Sequence, residues 1–220
     1  MAARQPARRG RGERAGLSRQ QVLDAALELV DRSGLKALTM RSLGEELGVE
    51  AMTLYHYVPN KDALLDGLVE QVFTTASPAM DGSADWRTAL HAYATALRAG
   101  LLRHAALLPL AASRPAVTPA TLDEVEAGLR LLTASGFSLD RALHVLNSLA
   151  VFVIGHATAE ARIVVAPDEA GGADWLATLA ADRYPLLIRA AREGVGVDDG
   201  ERFAFALDAL LLGFEALRTA

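Results

Sequence analysis

The chain has 220 residues, of which 51% are apolar and 5% aromatic, enough for a sizeable core and too apolar for a disordered segment. It has no cysteine, which excludes disulfides, thiolate metal sites and a cysteine nucleophile together. The net charge of −5 is unevenly divided: residues 1–61 hold 10 Lys/Arg against 7 Asp/Glu and residues 62–220 hold 12 against 20, so only the positive head is suited to a polyanion.

Residues 1–17 read as a disordered basic arm, with Arg4, Arg8, Arg9, Arg11 and Arg14 against Glu13 and no apolar period. Residues 18–75 form the first expected domain. Ser18 is an N-cap candidate, and Val22, Leu23, Ala26, Leu29 and Val30 follow at helical spacing up to Gly34, predicting a helix over 19–33. Thr39 caps a second helix over 40–47 with the stripe Met40, Leu43, Leu47, and Gly48 stops it. A tight connection through Val49 and Glu50 leads to a third helix, Ala51 to Tyr57, before Pro59. Asn60 can cap a fourth, through Leu64, Leu65, Leu68, Val69, Val72 and Phe73.

After the polar linker Pro78–Ser83, residues 84–220 form a second domain of helices alone. Asp85 opens a helix to about Arg103, and a segment from His104 to Ala112 stops before Pro115. Pro119 starts a helix to about Ser135, which Gly136 ends. Ser138 caps the next, Leu139 to about Val164, whose apolar residues surround most of its girth, as in a core helix that also meets a partner chain. Residues 166–173 read as a loop, Ala173–Asp182 as a short helix, Pro185 as the start of another, and 201–218 as the last. The longest unbroken apolar run, Leu149–Gly155, is far short of the roughly 18 residues a membrane span needs, and no secretory h-region opens the chain. A soluble, cytoplasmic all-α protein without a membrane partner is expected.

A short capped helix, a three-residue turn and a second short helix make the arrangement of a helix-turn-helix motif. A third helix of about 7 residues is roughly 10 Å long and can lay its first turn in a major groove. Leu54 and Val58 are expected to face inward, leaving Ala51, Met52, Thr53, Tyr55, His56 and Tyr57 on the outer faces. The stretch LTMRSLGEELGVEAMTLYHYVPNKDALL, Leu38 to Leu65, resembles the N-terminal domain of the tetracycline-repressor (TetR) family of regulators. Its landmarks are Thr39, Leu43–Gly44, Leu47–Gly48–Val49, Leu54–Tyr55 and Asn60–Lys61 before Leu64–Leu65. The resemblance implies that Thr39 and Arg41 contact backbone and bases, that Thr53, Tyr55 and His56 lie on the recognition helix, and that Lys61 contacts phosphate. Cations release counterions from phosphate, and hydroxyls donate to its oxygens. Ala51 and Met52 depart from the polar or proline residues of the tetracycline repressor, so a different operator is expected; against a base edge they can only touch a thymine methyl.

Arg114–Pro115, Gly136–Phe137–Ser138–Leu139 and Gly213–Phe214–Glu215 extend the resemblance to the family's C-terminal domain. It implies a homodimer through the helices near 139–164 and 201–218, a pseudo-palindromic DNA operator, and repression relieved by a small-molecule effector. Candidate lining residues for that effector are His104, Leu110, Arg114, Phe137, Asn147, Val151, His156 and Trp175. The family's drug–magnesium complex is held by a histidine where this chain has Leu110 and by an acid where it has Ala159, so an apolar, metal-free effector is expected. His156 and Glu160, at i, i+4, have the spacing of two metal ligands but are read as a surface hydrogen bond.

No G-x-S-x-G elbow, P-loop, H-E-x-x-H or dinucleotide fingerprint is present, so neither an enzyme nor a cofactor is expected. The alternative is a helical small-molecule-binding or adaptor protein that does not act on DNA.

Overall fold

A computed structural model describes residues 16–76, 85–114, 117–165, 179–196 and 198–218. Every regular element among them is helical. The chain divides into two compact units, Met1–Leu64 and Leu65–Ala220. The division falls inside a helix, eleven residues before the end of the first domain expected from the sequence.

In the first unit, α1 spans Arg19–Ser33. Ser18 and Gln21 cap each other's backbone reciprocally, which satisfies two of the amides orphaned at a helix start. Its inward stripe is the expected one: Val22, Leu23, Ala26 and Val30 are fully buried. A 3₁₀ turn, Leu35–Ala37, leads to α2, Met40–Leu47. α3 is Ala51–Leu54 and α4 is Lys61–Thr74. α3 is therefore shorter than the expected 51–57. From Leu54 on, the pattern tightens: the Tyr57 and Val58 amides both donate to the Leu54 carbonyl, at 2.9 Å each. Val58 precedes Pro59, and a residue before proline is pushed out of helical geometry.

In the second unit, α5 is Trp86–Arg103, α6 Leu108–Ser113, α7 Pro119–Ala134 and α8 Leu139–Val165. α9 is Pro185–Glu193 and α10 is Asp199–Arg218, starting two residues before the expected position. Asp85 caps α5 through the Arg87 and Thr88 amides, and Thr118 caps α7 through Thr121. The core is packed by Leu90, Leu97, Leu101, Leu107, Leu132, Leu149 and Leu207, all at most 1% exposed. Trp86 stands edge-on to Phe137 at 5.0 Å, so Trp86 packs the core.

Within the single chain α8 leaves apolar side chains open: Val151 is 71% exposed, and Leu139 and Leu143 are also open. One expectation needs correction: the apolar-run criterion understated α8, since by length and composition Leu139–Ala161 suffices to cross a membrane, because polar residues spaced along a helix interrupt a run while its mean hydropathy stays high. The arm up to residue 15, the linker 78–83, the loop 166–173 and the expected short helix up to residue 178 lie outside the described residues.

Candidate functional site

The turn between α2 and α3 rests on two glycines. Gly48 ends α2 in the left-handed region, at φ 66°, where a side chain would be strained. Gly44 stands where α3 crosses α2: a β-carbon there would lie 2.8 Å from the Val49 carbonyl oxygen and 3.2 Å from the Ala51 nitrogen. No side chain fits between these backbones. The Val49 amide in turn donates to the Gly44 carbonyl at 2.9 Å, locking the turn to the helix before it.

This frame presents the residues expected to touch DNA. Thr39 is exposed, and its hydroxyl caps α2, accepting from the Ser42 amide at 3.0 Å. The Ser42 hydroxyl accepts from the Thr39 amide at 2.9 Å and donates to the Ala37 carbonyl at 2.8 Å. Thr39 and Ser42 thus hold the start of α2 in place. Arg41 is exposed on α2 and donates to Glu45 at 3.0 Å. On α3, Leu54 is fully buried and Val58 beyond it nearly so, which anchors the segment from behind. Met52 is 71% exposed and Tyr55 42%, with His56 exposed and Ala51, Thr53 and Tyr57 half-buried. An exposed methionine beside two exposed rings is a poor way to face water alone. Lys61 is exposed at the first position of α4, and the Asn60 carboxamide caps that helix by accepting from the Ala63 amide at 2.8 Å. A cation in a first turn opposes the helix dipole, so its place there is not explained by stability.

The second unit contains a cleft of about 350 Å³ lined by α4, α5, α7 and α8. Its walls are mainly apolar, including Phe73, Val125, Leu146 and Leu149, and they carry Tyr93, Thr121, Glu124 and Asn147. Burial and the Glu124 carboxylate push the Tyr93 phenol up to about 12, so it stays a proton donor at neutral pH.

Of the eight residues expected to line a ligand site, Asn147 lines this cleft. Leu110 is buried on α6, and Val151 faces outward on α8. Arg114 pairs with Asp66, and His104 is the half-buried C-cap of α5. Phe137 lines a separate, smaller cleft with Arg141 and Phe214. Trp175 lies outside the described residues. His156 belongs to an aromatic and ionic cluster between α5, α8 and α10. There Arg98 donates twice to Glu160, at 2.9 and 2.7 Å, and lies 4.9 Å over the Phe203 ring. The His156 ring meets the Phe203 edge at 5.2 Å. The His156–Glu160 pair is therefore not a surface hydrogen bond: both side chains are under 20% exposed, and Arg98 occupies the carboxylate.

Sequence reading passed over Phe73, Tyr93, Thr121 and Glu124. A signal was present, since Thr121, Glu124, Val125 and Gly128 share one face of α7 at i, i+3, i+4 and i+7.

Comparison with known proteins gives the context of both units. The family described as bacterial regulatory proteins, tetR family, matches residues 22–68, and the one described as tetracyclin repressor-like, C-terminal domain, matches residues 77–218. The chain is 36% identical over 220 residues to the class D tetracycline repressor of Escherichia coli, covering 94% of this chain and 93% of that one. It is 33% identical to the transcriptional repressor DrrR1 of Streptomyces coeruleorubidus, over 96% and 82% of the two chains. Among solved structures, ActR of Streptomyces coelicolor in complex with actinorhodin superposes with a TM-score of 0.77 at 28% identity, covering 94% of this chain and all of that one. A capped helix-turn-helix unit followed by a helical unit with an apolar cleft, matched along both parts, makes this chain a member of the TetR family of DNA-binding, ligand-responsive transcriptional regulators.

Proposed function

We propose that the protein is a cytoplasmic repressor that binds a pseudo-palindromic operator as a homodimer and leaves it when a small apolar effector, held without a metal, enters the cleft of the second unit. The observation that carries this reading is the pairing of an α2–α3 turn too tight for any residue but glycine at 44 with an outer face of Arg41, Met52, Thr53, Tyr55, His56 and Lys61. Arg41 and Lys61 neutralise phosphate, the hydroxyls of Thr53 and Tyr55 donate to it, and Ala51 and Met52 meet base edges as apolar surface.

The homodimer is supported by the large apolar side chains that α8 and α10 leave open. Val151 and Phe205 are 71% and 79% exposed, and Leu139, Leu212 and Leu217 lie more than half open. Such a surface on a regulator calls for a partner, and two-fold pairing sets two reading units one DNA turn apart, roughly 34–36 Å. The effector site is supported by the cleft, and by the ActR structures in complex with actinorhodin and (S)-DNPA. Neither Leu110 nor Ala159 has a side-chain atom that could bind a metal. α4 carries Lys61 at its first position and Phe73, a cleft residue, in its last turn. An effector acts only through a difference in affinity between the operator-bound and free arrangements, and a helix with both residues can express that difference.

A mobility shift with the DNA upstream of the protein's own gene tests the reading. A discrete complex at moderate salt, resistant to competitor DNA, is the expected result. No specific complex there, or with other DNA of the same neighbourhood, would sink it.

A further inference from the structure

The cleft of the second unit has an unbalanced polar inventory. Its walls carry one carboxylate, Glu124, and no lysine, arginine or histidine. The Thr121 hydroxyl is already spent, donating to the Thr118 carbonyl at 3.0 Å. The one cation on α7, Arg130, lies on a different face and donates to Glu126 at 2.9 Å. Glu124 therefore has no ion-pair partner among the described residues, although it borders Tyr93 and apolar walls.

A ligand that fills this cleft covers Glu124 and strips its water. A neutral apolar ligand leaves the carboxylate desolvated and uncompensated, and an anion is repelled by it. A ligand that brings its own positive charge restores the balance most fully. We propose that the effector is an amphipathic molecule carrying a protonated amine, with Glu124 as its counter-ion, the Tyr93 hydroxyl and Asn147 carboxamide as its polar neighbours, and its apolar body against Phe73, Leu146 and Leu149. The inference rests on the cleft being the effector site. It changes that effector from wholly apolar to an apolar body carrying one positive charge. Tyr93 fits the role: a phenol kept protonated donates to an oxygen on the ligand while the carboxylate takes the amine.

Three fluorescent probes separate the terms: dansylcadaverine, with a free ammonium; dansylamide, the same fluorophore without charge; and anilinonaphthalene sulfonate, an anion. Each is titrated into the full chain, Glu124→Gln, Glu124→Lys and Ala150→Trp, the last placing an indole in the cleft. Melting curves establish that each variant folds, and Glu124→Ser replaces Glu124→Gln if that one does not. In the unaltered protein dansylcadaverine is expected to bind at least about tenfold more tightly than dansylamide, the scale of a charge-assisted hydrogen bond. Glu124→Gln removes that preference and leaves dansylamide within about twofold, and Glu124→Lys turns it toward the anion. Equal binding of cation and neutral probe, or a preference that survives Glu124→Gln, overturns the proposal and leaves the cleft as effector site. If no probe binds, or Ala150→Trp displaces none, the cleft itself is wrong and both readings fall.

Discussion

Replacing Gly44 by alanine sets two effects against each other. In the middle of α2, alanine is a better helix former than glycine by about 1 kcal/mol. Against that, the new methyl carbon would lie 2.8 Å from the Val49 carbonyl oxygen and 3.3 Å from the Ala51 α-carbon. These are backbone atoms and cannot rotate away, so α3 must retreat from α2 by several tenths of an ångström. Overpacking of this kind costs about 1–3 kcal/mol, which leaves a net loss of about 0–2 kcal/mol, a modest change in melting temperature. The displacement matters more for recognition, because a site must be held to within about 0.5 Å to make its contacts. Fluorescence anisotropy with operator DNA should show at least a tenfold loss of affinity. Gly100→Ala is the control: its methyl would meet Val72 at an ordinary 3.6 Å, so affinity should hold and stability should not fall. If Gly44→Ala binds operator as the unaltered protein does, the tight crossing of α2 and α3 does not position the reading surface and the reasoning fails.

Lys61→Ala should weaken binding evenly across operator variants and reduce the slope of log affinity against log salt by about 1, whereas Met52→Ala should shift the base preference and leave the slope alone. Slopes measured from 50 to 300 mM salt check both, and an unchanged slope for Lys61→Ala removes it from the phosphate contacts. Glu160→Gln should destabilise the second unit by about 3 kcal/mol, because it strands the Arg98 guanidinium at 18% exposure. The double variant Arg98→Met, Glu160→Met should recover most of that loss in denaturant unfolding; a double variant no better than the single one contradicts the pairing. Burial and the Arg98 and Arg202 guanidiniums hold His156 below its usual 6.5, against the opposing pull of Glu160. As pH falls through 6.5 the unfolded chain takes the proton first, so stability drops there and levels off once the folded histidine is protonated. His156→Gln should flatten the fall in melting temperature between pH 7.5 and 5.5, and parallel curves for the two proteins would refute the assignment.

Local chemistry made most of the helix boundaries legible. Ser18, Thr39, Asn60 and Asp85 all cap where a short polar side chain precedes an apolar period, Pro119 opens α7 as expected, and Gly48 stops α2 in the left-handed region that glycine favours. The end of α3 was missed because three residues in a row, Tyr55 to Tyr57, are compatible with helix, and the tightening that ends it comes from packing Leu54 and Val58 ahead of Pro59. The reading surface was legible because it is contiguous in sequence and carried by a motif. The cleft was not, because its walls come from four helices. Asn147 was found, but Tyr93 and Glu124 look like ordinary surface residues of α5 and α7 until α8 packs beside them. His156 and Val151 lie five residues apart on α8, about 140° around the helix, and so end in an ion-paired cluster and on an open face.

The central claim is that the segment from Thr39 to Lys61 reads duplex DNA in a two-fold arrangement. Selection of binding sequences from a random duplex pool by the full-length protein tests it without knowledge of its target. The account predicts enrichment of one inverted repeat with half-sites a helical turn apart, and loss of that enrichment when Arg41, Thr53 and Tyr55 are replaced together by alanine. A pool that stays random, or the same motif recovered by the triple variant, would contradict it.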